Sequence, residues 1–184
     1  MPQLARLSKF LALLLRHKAA DFGLALDENG FADVTLVWQQ IEKRYRGQFS
    51  YEDLLRVVAG DESGKKRYEI VDSRIRALFG HSSGVTPVRY PPVAPPEILY
   101  HGTTQAALNI IRQQGLKAQR RQYVHFATSV ERAQIVAARH RDAIVVLRIR
   151  ALEAQQAGIV FFHPESEHYL ARSLPPQFID FPAV

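Results

Sequence analysis

The sequence predicts an α+β fold in two lobes, and two observations lead to this prediction. The segment 85–97 holds five of the ten prolines. Because proline has no N–H and restricts the residue before it, this segment is expected to be a stiff linker, neither helix nor central strand. Before it the patterns predict three helices and a hairpin, the order of a winged helix; after it they predict short strands mixed with helices. We therefore expect a winged-helix lobe at 1–90 and a second lobe at 91–184.

In the first lobe, apolar residues at helical spacing predict the buried face of an opening helix. A capping box at 50–53 predicts the start of the third helix, because Ser50 and Asp53 can satisfy each other's backbone N–H groups. The predicted elements are a helix ending near 16–18, a tight turn at Asn29-Gly30, a helix over 34–44, a helix from 50 to Gly60, and strands 67–71 and 74–79 joined at Asp72-Ser73.

The second lobe alternates short apolar runs with helical patterns, which predicts a small sheet covered by helices. It contains neither a Walker loop nor a G-x-G-x-x-G fingerprint, so the common nucleotide-binding folds are not indicated. The predicted elements are strand 98–101, helix 104–114 ended by Gly115, strand 123–127, helix 130–140, strand 143–149, and short strands over 158–162, 168–171 and 177–181.

Charge and cysteine content limit the possible functions. The formal net charge is +6 and the pI is about 9.8, with 14 basic and 11 acidic residues over 1–95 and 10 and 7 over 96–184. This balance suits a polyanion such as RNA, and it equally suits a generally basic protein. Without cysteine there is no disulfide, zinc ribbon or thiol nucleophile. No stretch approaches the roughly 20 apolar residues of a membrane span, so we expect a cytoplasmic protein that does not contact a membrane.

Basic residues that could carry chemistry each have an ordinary structural explanation when taken singly. Arg16 and His17 end an apolar helix, where positive charge offsets the helix dipole. Arg67 belongs to a basic run that is typical of a solvated face. Arg121 precedes a strand containing His125, and a histidine in a strand is commonly a core residue. These residues become candidates for a functional site only when they are considered together.

Seven segments occur in one order: LSKFLALLLRHK, KKRYEI, IRALFGHS, YHGT, GLKAQRRQYVHFA, ARHRDAIVVL and YLARSLPPQFI. This order resembles the RNA 2′-phosphotransferase family, which shares an L-S-x-x-L-x-x-x-L-R-H opening, K-x-R-[FY], I-R-A-x-x-G-H-S, Y-H-G-T and R-x-H-V-H. The resemblance extends from about Leu7 to Phe181. It implies a winged-helix N-terminal lobe and an ADP-ribosyltransferase-like C-terminal lobe, with RNA and NAD meeting in the cleft between them.

The resemblance places the essential quartet of the family at Arg16, His17, Arg67 and Arg121. Guanidinium groups suit this role, because their planar forks pair with phosphate oxygens. The implied reaction begins when an RNA 2′-phosphate attacks the anomeric carbon of NAD and expels nicotinamide. The neighbouring ribose hydroxyl then attacks phosphorus, giving 2′-hydroxyl RNA and ADP-ribose 1″,2″-cyclic phosphate. The residue types demand no metal, and His17 suits either a phosphate ligand or a proton donor to the departing 2′-oxygen.

The resemblance also implies which residues contact the two substrates, with NAD consumed as a co-substrate and RNA expected to be tRNA acted on by a monomer. Phe161 and Phe162 suit either a nicotinamide contact or the core. The NAD candidates are His101, Gly102, Thr103, His125, Thr128, Ser129 and Arg139, and the RNA candidates are Lys66, His81 and Ser82. His101 is expected at the end of a strand, and Gly102 suits either close approach of nicotinamide or an ordinary turn.

Three positions depart from the family pattern: Phe79 stands where Gln is usual, Tyr123 where His is usual, and Tyr169-Leu170-Ala171 where Trp-Leu-Thr is usual. Two other functions also stay open. One is an ADP-ribosyltransferase that leaves ADP-ribose on protein or nucleic acid, which needs a late catalytic glutamate. Glu165 and Glu167 lie in that region, in a segment expected to be a solvated loop. The other is a winged-helix nucleic-acid-binding protein without catalysis.

Overall fold

A computed structural model of the chain describes residues 2–60, 66–138 and 142–182. The chain divides into two compact units, Met1–Arg89 and Tyr90–Val184. Each unit contains helices and at least one antiparallel sheet, so the prediction of an α+β fold is confirmed at that level. Within the described residues, no helix combines the length and apolar character that crossing a membrane requires.

In its described residues, the first unit contains three α-helices and a three-stranded sheet. Asp33 begins the second helix by accepting hydrogen bonds from the backbone N–H groups of Thr35 and Leu36, and the predicted capping box of Ser50 and Asp53 is present. The elements are α1 (Pro2–Ala12), a π-helical turn (Leu13–His17), β1 (Phe31–Asp33), α2 (Val34–Tyr45), α3 (Tyr51–Ala59), β2 (Tyr68–Val71) and β3 (Arg74–Ala77).

The sheet of the first unit has the order β1-β3-β2, with both pairs antiparallel. The predicted hairpin is therefore present, and the short strand β1 adds to it. The apolar face of α1 packs into the core of this unit, where Leu7, Leu11 and Leu14 are fully buried. The predicted end of the first helix near 16–18 is confirmed, although the helix changes from α-helical to π-helical after Ala12 and ends at His17.

The second unit is dominated by a seven-stranded antiparallel sheet of order β12-β8-β5-β7-β10-β9-β4, beside a separate pair of β6 and β11. Its core is a cluster that includes Leu99, Phe126, Leu147 and Phe161. The strands are β4 (Pro92–Val93), β5 (Ile98–Thr104), β6 (Leu116–Lys117), β7 (Val124–Ala127), β8 (Ile144–Arg150), β9 (Phe161–Glu165), β10 (His168–Ala171), β11 (Ser173–Leu174) and β12 (Ile179–Asp180), and the helices are α4 (Leu108–Gln114), α5 (Val130–Ala137) and α6 (Ala151–Gln156).

The proline-rich segment 85–97 is more than the stiff linker predicted from its composition. Val88 is 1% exposed, and the backbone N–H of Arg89 donates to the carbonyl of Glu28. Pro92 and Val93 then pair with β9 at the edge of the large sheet. An edge position tolerates proline, since one side of an edge strand needs no N–H donor.

Candidate functional site

Arg16 and His17 lie at the end of the π turn that follows α1. A π turn widens the helix by one residue, and such turns are frequent at functional sites. Leu14 and Leu15 in the same turn are fully buried, whereas Arg16 is half-buried and His17 is exposed. The turn therefore holds the Arg-His pair at the surface of the first unit on a rigid, buried base.

Aromatic rings and a backbone carbonyl hold the Arg16 guanidinium. Its Cζ lies 5.0 Å from the centre of the Phe79 ring and 5.5 Å from that of Tyr68, both within cation–π range. Arg16 Nη2 also donates to the backbone carbonyl of Arg67, 3.4 Å away. The same carbonyl accepts the N–H of Leu78 at 3.0 Å. Arg16 is thus bonded to the main chain of Arg67, the third predicted member of the quartet, immediately before β2.

Ser82 contacts both members of the Arg-His pair. Its backbone N–H donates to the Arg16 carbonyl at 2.9 Å, and its Oγ lies 2.8 Å from His17 Nδ1. Lys66, the neighbouring RNA candidate, is exposed at the start of the described hairpin. The first unit therefore brings together Arg16, His17, the Arg67 backbone and Ser82, which are far apart in the sequence.

His81 is only 3% exposed, so the structure places this RNA candidate in the interior of the first unit. Burial, together with the positive charges of Arg16, His17 and Arg76, lowers the pKa of His81 to about 3. At Gly30 an added Cβ would lie 3.3 Å from His81 Nε2 and 3.2 Å from Val88 Cγ2, so the ring is closely surrounded. His81 is therefore a neutral, packed side chain at neutral pH.

In the second unit, His101 lies within β5 and contacts the backbone of β7. His101 Nδ1 is 2.9 Å from the carbonyl of His125. A carbonyl can only accept, so Nδ1 carries a proton and Nε2 is the acceptor nitrogen of the neutral ring. Burial lowers the pKa of His101, and this bond to the His125 carbonyl partly opposes the shift. The expectation that His101 ends its strand is wrong, because β5 continues to Thr104.

Arg121 lies in the turn before β7, and its side chain reaches the side chain of His125. Arg121 Nη1 is 3.4 Å from His125 Nε2. An arginine N–H can only donate, so in this contact His125 accepts through Nε2. Arg121 is exposed, and its backbone N–H donates to the carbonyl of Ala118 at 3.0 Å. The second unit therefore brings together Arg121, His125 and His101.

Gly102 packs against helix α5, which gives its small size a structural reason. An added Cβ would lie 2.3 Å from the carbonyl oxygen of Ala133 and 2.8 Å from the Cβ of Ala137, so the backbone would have to move. The alternative that Gly102 serves an ordinary turn is wrong, because it lies within β5. Thr103, the next residue, is 8% exposed.

Ser129 is the N-cap of α5, where its Oγ accepts a hydrogen bond from the backbone N–H of Arg132 at 3.1 Å. This cap accounts for the residue type at Ser129 without a ligand. Thr128 beside it is exposed. Arg139, the remaining NAD candidate, lies outside the described residues.

Glu165 and Glu167 lie in the β9–β10 hairpin, and the expectation of a solvated loop is wrong for Glu165. The Glu165 side chain is 9% exposed and accepts a hydrogen bond from His168 Nδ1. Burial alone would raise the pKa of Glu165, but the bond to His168 and its charge outweigh burial and lower it. Arg132 Nη2 lies 2.9 Å from Glu167 Oε2. These pairs explain both glutamates as structural partners.

Phe161 is fully buried in the core of the second unit, and Phe162 is 8% exposed against Tyr123 and Leu170. This packing favours a structural role in the core, rather than a nicotinamide contact, for both phenylalanines. Among the residues that the structure describes, no group of three or more His, Cys, Asp or Glu side chains is arranged to hold a metal ion.

These features define a two-unit α+β protein in which each unit separately places arginine and histidine side chains close together, as suits a phosphorylated ligand. The model of the family described as RNA 2′-phosphotransferase, Tpt1/KptA family, matches residues 2–173. The chain is 37% identical to a probable RNA 2′-phosphotransferase of Acetivibrio thermocellus over 96% of each chain. It is 40% identical to one of Pectobacterium atrosepticum, over 94% of this chain and 95% of the relative. The chain therefore belongs to the RNA 2′-phosphotransferase family, and the resemblance predicted from its motifs is confirmed.

Proposed function

We propose that this protein is an NAD-dependent RNA 2′-phosphotransferase. It transfers an internal RNA 2′-phosphate to NAD through an ADP-ribosylated RNA, giving 2′-hydroxyl RNA, ADP-ribose 1″,2″-cyclic phosphate and nicotinamide. Membership of the RNA 2′-phosphotransferase family supports the phosphate-transfer part. The observation that carries the proposal is the joint anchoring of Arg16, His17 and the Arg67 backbone in the first unit.

The quartet of Arg16, His17, Arg67 and Arg121 handles the phosphate. A phosphomonoester carries nearly two negative charges at neutral pH, and rigid guanidinium forks bind it with little reorganisation. In the first step they align the phosphate on the anomeric carbon of NAD. In the second step negative charge moves across the phosphoryl oxygens, and fixed cationic groups stabilise that transition state without a metal.

The first unit serves as a winged-helix lobe for RNA, in keeping with its three helices and three-stranded antiparallel sheet. Lys66 is exposed beside Arg67, where it can contact an RNA phosphate. His81 is buried and neutral, so it acts by packing inside the first unit, next to Ser82 in the chain. The physiological substrate expected for such an enzyme is a tRNA that carries a 2′-phosphate.

The second unit serves as an ADP-ribosyltransferase-like lobe that binds NAD. His101 suits a ribose hydroxyl, because its Nδ1 donates to the His125 carbonyl and its Nε2 is then an acceptor. Gly102 and Thr103 follow it in β5, and Thr128, Ser129, His125 and Arg139 complete the proposed set. An ADP-ribosyltransferase that leaves a permanent adduct is less well supported, since Glu165 is paired with His168.

The proposed activity is tested with a 2′-phosphorylated oligoribonucleotide, incubated with and without NAD. We expect loss of the 2′-phosphate only with NAD, together with release of nicotinamide and the cyclic phosphate. Dephosphorylation that is independent of NAD, or a persistent ADP-ribosyl adduct as the end product, would overturn the proposal.

Arg121→Ala tests the quartet, and Arg120→Ala is its matched control. Loss of one electrostatic donor to a transition state costs about 100- to 1000-fold in turnover. We expect a loss of that size in Arg121→Ala and less than about threefold in Arg120→Ala, since Arg120 is not assigned to the phosphate. Equal effects of the two variants would mean that Arg121 contributes only general positive charge.

A further inference from the structure

Ser82 is connected to the Arg-His pair by two hydrogen bonds, although 65 residues separate it from His17. The backbone N–H of Ser82 fixes the Arg16 carbonyl at 2.9 Å, and the Ser82 hydroxyl oxygen lies 2.8 Å from His17 Nδ1. One bond holds the main chain of the π turn and the other holds the imidazole ring. Together they fix both the position and the rotation of His17.

The residue before Ser82 is buried in the first unit. His81, the preceding residue, is 3% exposed, and the space around its ring is so close that Gly30 could not gain a Cβ without a contact of 3.3 Å. Because interiors are closely packed, a buried His81 anchors the main chain that carries Ser82 beside His17.

A hydroxyl is also a suitable chemical partner for a histidine that exchanges a proton. A carboxylate in the same place would only accept and would favour the charged imidazolium. The Ser82 hydroxyl is uncharged and can accept from Nδ1–H of the imidazolium and also from Nδ1–H of the neutral ring. It therefore orients His17 without holding it in one charge state.

We propose that Ser82 is a positioning residue for His17, which accepts a hydrogen bond from Nδ1–H and retains that proton on the ring. The inference rests on the proposed function. In the second step the NAD-derived ribose 2″-oxygen bonds to phosphorus and its proton passes to solvent. The bond from phosphorus to the RNA 2′-oxygen breaks, and His17 gives that oxygen the proton of Nε2. Ser82 thus acts through His17, in place of the direct RNA contact that the family resemblance implies.

The first test reads His17 in the free protein by long-range ¹H–¹⁵N NMR of its ring, above the pH at which it becomes neutral. Ser82→Ala is compared with Ser83→Ala, the exposed neighbouring serine. We expect mainly the Nδ1–H tautomer in the wild type and in Ser83→Ala, and a shift toward Nε2–H in Ser82→Ala. An identical tautomer balance in all three proteins would overturn the proposal.

The second test follows one turnover on 2′-phosphorylated RNA with saturating NAD, which separates formation of ADP-ribosylated RNA from its decay. In Ser82→Ala we expect the decay to slow about tenfold, while its formation and the KM for RNA stay within about twofold. Ser82→Thr keeps the hydroxyl and is expected to restore most of the decay rate. A raised KM for RNA with an unchanged decay rate would instead identify Ser82 as an RNA contact and overturn the proposal.

The two tests separate this inference from the function on which it rests. If the wild-type protein does not remove the 2′-phosphate with NAD, the proposed function fails. The NMR comparison still decides whether Ser82 sets the tautomer of His17, because it needs neither substrate.

Discussion

Replacement of Phe79 by leucine is expected to weaken the site by releasing the Arg16 guanidinium from one of its two aromatic supports. Arg16 Cζ lies 5.0 Å from the Phe79 ring and 5.5 Å from the Tyr68 ring. Leucine keeps an apolar side chain at this buried position but removes the π face. The Tyr68 ring stays fixed, since its hydroxyl donates to the carbonyl of Ser8 at 2.6 Å.

The expected size of the effect follows from the exposure of Arg16. A cation–π contact contributes about 0.5–1 kcal/mol at an exposed position and about 2 kcal/mol when desolvated. Arg16 is half-buried, and Tyr68 retains part of the interaction, so we expect a loss of about 1 kcal/mol. If the guanidinium acts on the transition state, this corresponds to a roughly fivefold lower kcat/KM for 2′-phosphorylated RNA.

The assay compares Phe79→Leu with Phe49→Leu at a temperature well below the unfolding transition of both variants. Phe49 is 4% exposed in the core of the same unit and packs on Tyr45, with ring centres 4.8 Å apart. Both variants lose a buried aromatic ring, but only Phe79 contacts Arg16. A loss of activity in Phe49→Leu equal to that in Phe79→Leu would refute the reasoning, as would a Phe79→Leu enzyme within 1.5-fold of the wild type.

Two further predictions concern stability. Because the folded pKa of His81 is about 3 and its ordinary value is 6.5, the unfolded chain binds a proton that the folded chain excludes between these pH values. The free energy of unfolding should therefore fall as pH decreases through this window, by about 1.4 kcal/mol per pH unit. Urea unfolding at several pH values should show a shallower fall for His81→Asn than for the wild type. Equal pH slopes for the two proteins would contradict the burial argument. Gly102→Ala should lower the free energy of unfolding by at least about 2 kcal/mol, because the added Cβ would lie 2.3 Å from the Ala133 carbonyl oxygen. Its melting temperature should drop well below that of Gly84→Ala, whose Cβ meets nothing within 4 Å, and an unchanged melting temperature would refute the steric reading.

Local sequence signals predicted most of the first unit because each signal has a local physical cause. The Ser50–Asp53 box satisfies backbone donors within the first turn of α3, so the start of that helix follows from the sequence. The hairpin turn at Asp72-Ser73 is also local. By contrast, β1 is three residues long and is held by pairing with β3, which no periodicity within the strand can reveal.

The elements that escaped prediction in the second unit are short or depend on distant partners. β6 and β11 have two residues each and exist through pairing with each other. Helix α6 has six residues, too few for a helical period to stand out. The edge strand at Pro92 and Val93 was hidden by the proline content, which correctly excludes a central strand but not an edge.

For the candidate site, the sequence supplied the residue names and the structure supplied the contacts between them. The motif order of a known family pointed to Arg16, His17 and Arg67, each of which has an ordinary explanation by itself. Two of their connections end on backbone atoms, because Arg16 Nη2 donates to the Arg67 carbonyl and the Ser82 N–H donates to the Arg16 carbonyl. Because backbone carbonyls and N–H groups are the same in every residue type, no sequence pattern could have predicted these two contacts.

In the second unit, His125 contacts both Arg121 and His101, again partly through a backbone atom. The His125 side chain contacts Arg121, a proposed phosphate ligand, while the His125 carbonyl contacts His101, a proposed NAD ligand. One residue on β7 thereby positions both groups through different atoms. The acceptor role of Nε2 toward Arg121 and the acceptor role of the carbonyl toward His101 are compatible in a single tautomer. His125 thus links the placement of Arg121 to that of His101, through its side chain on one side and its carbonyl on the other.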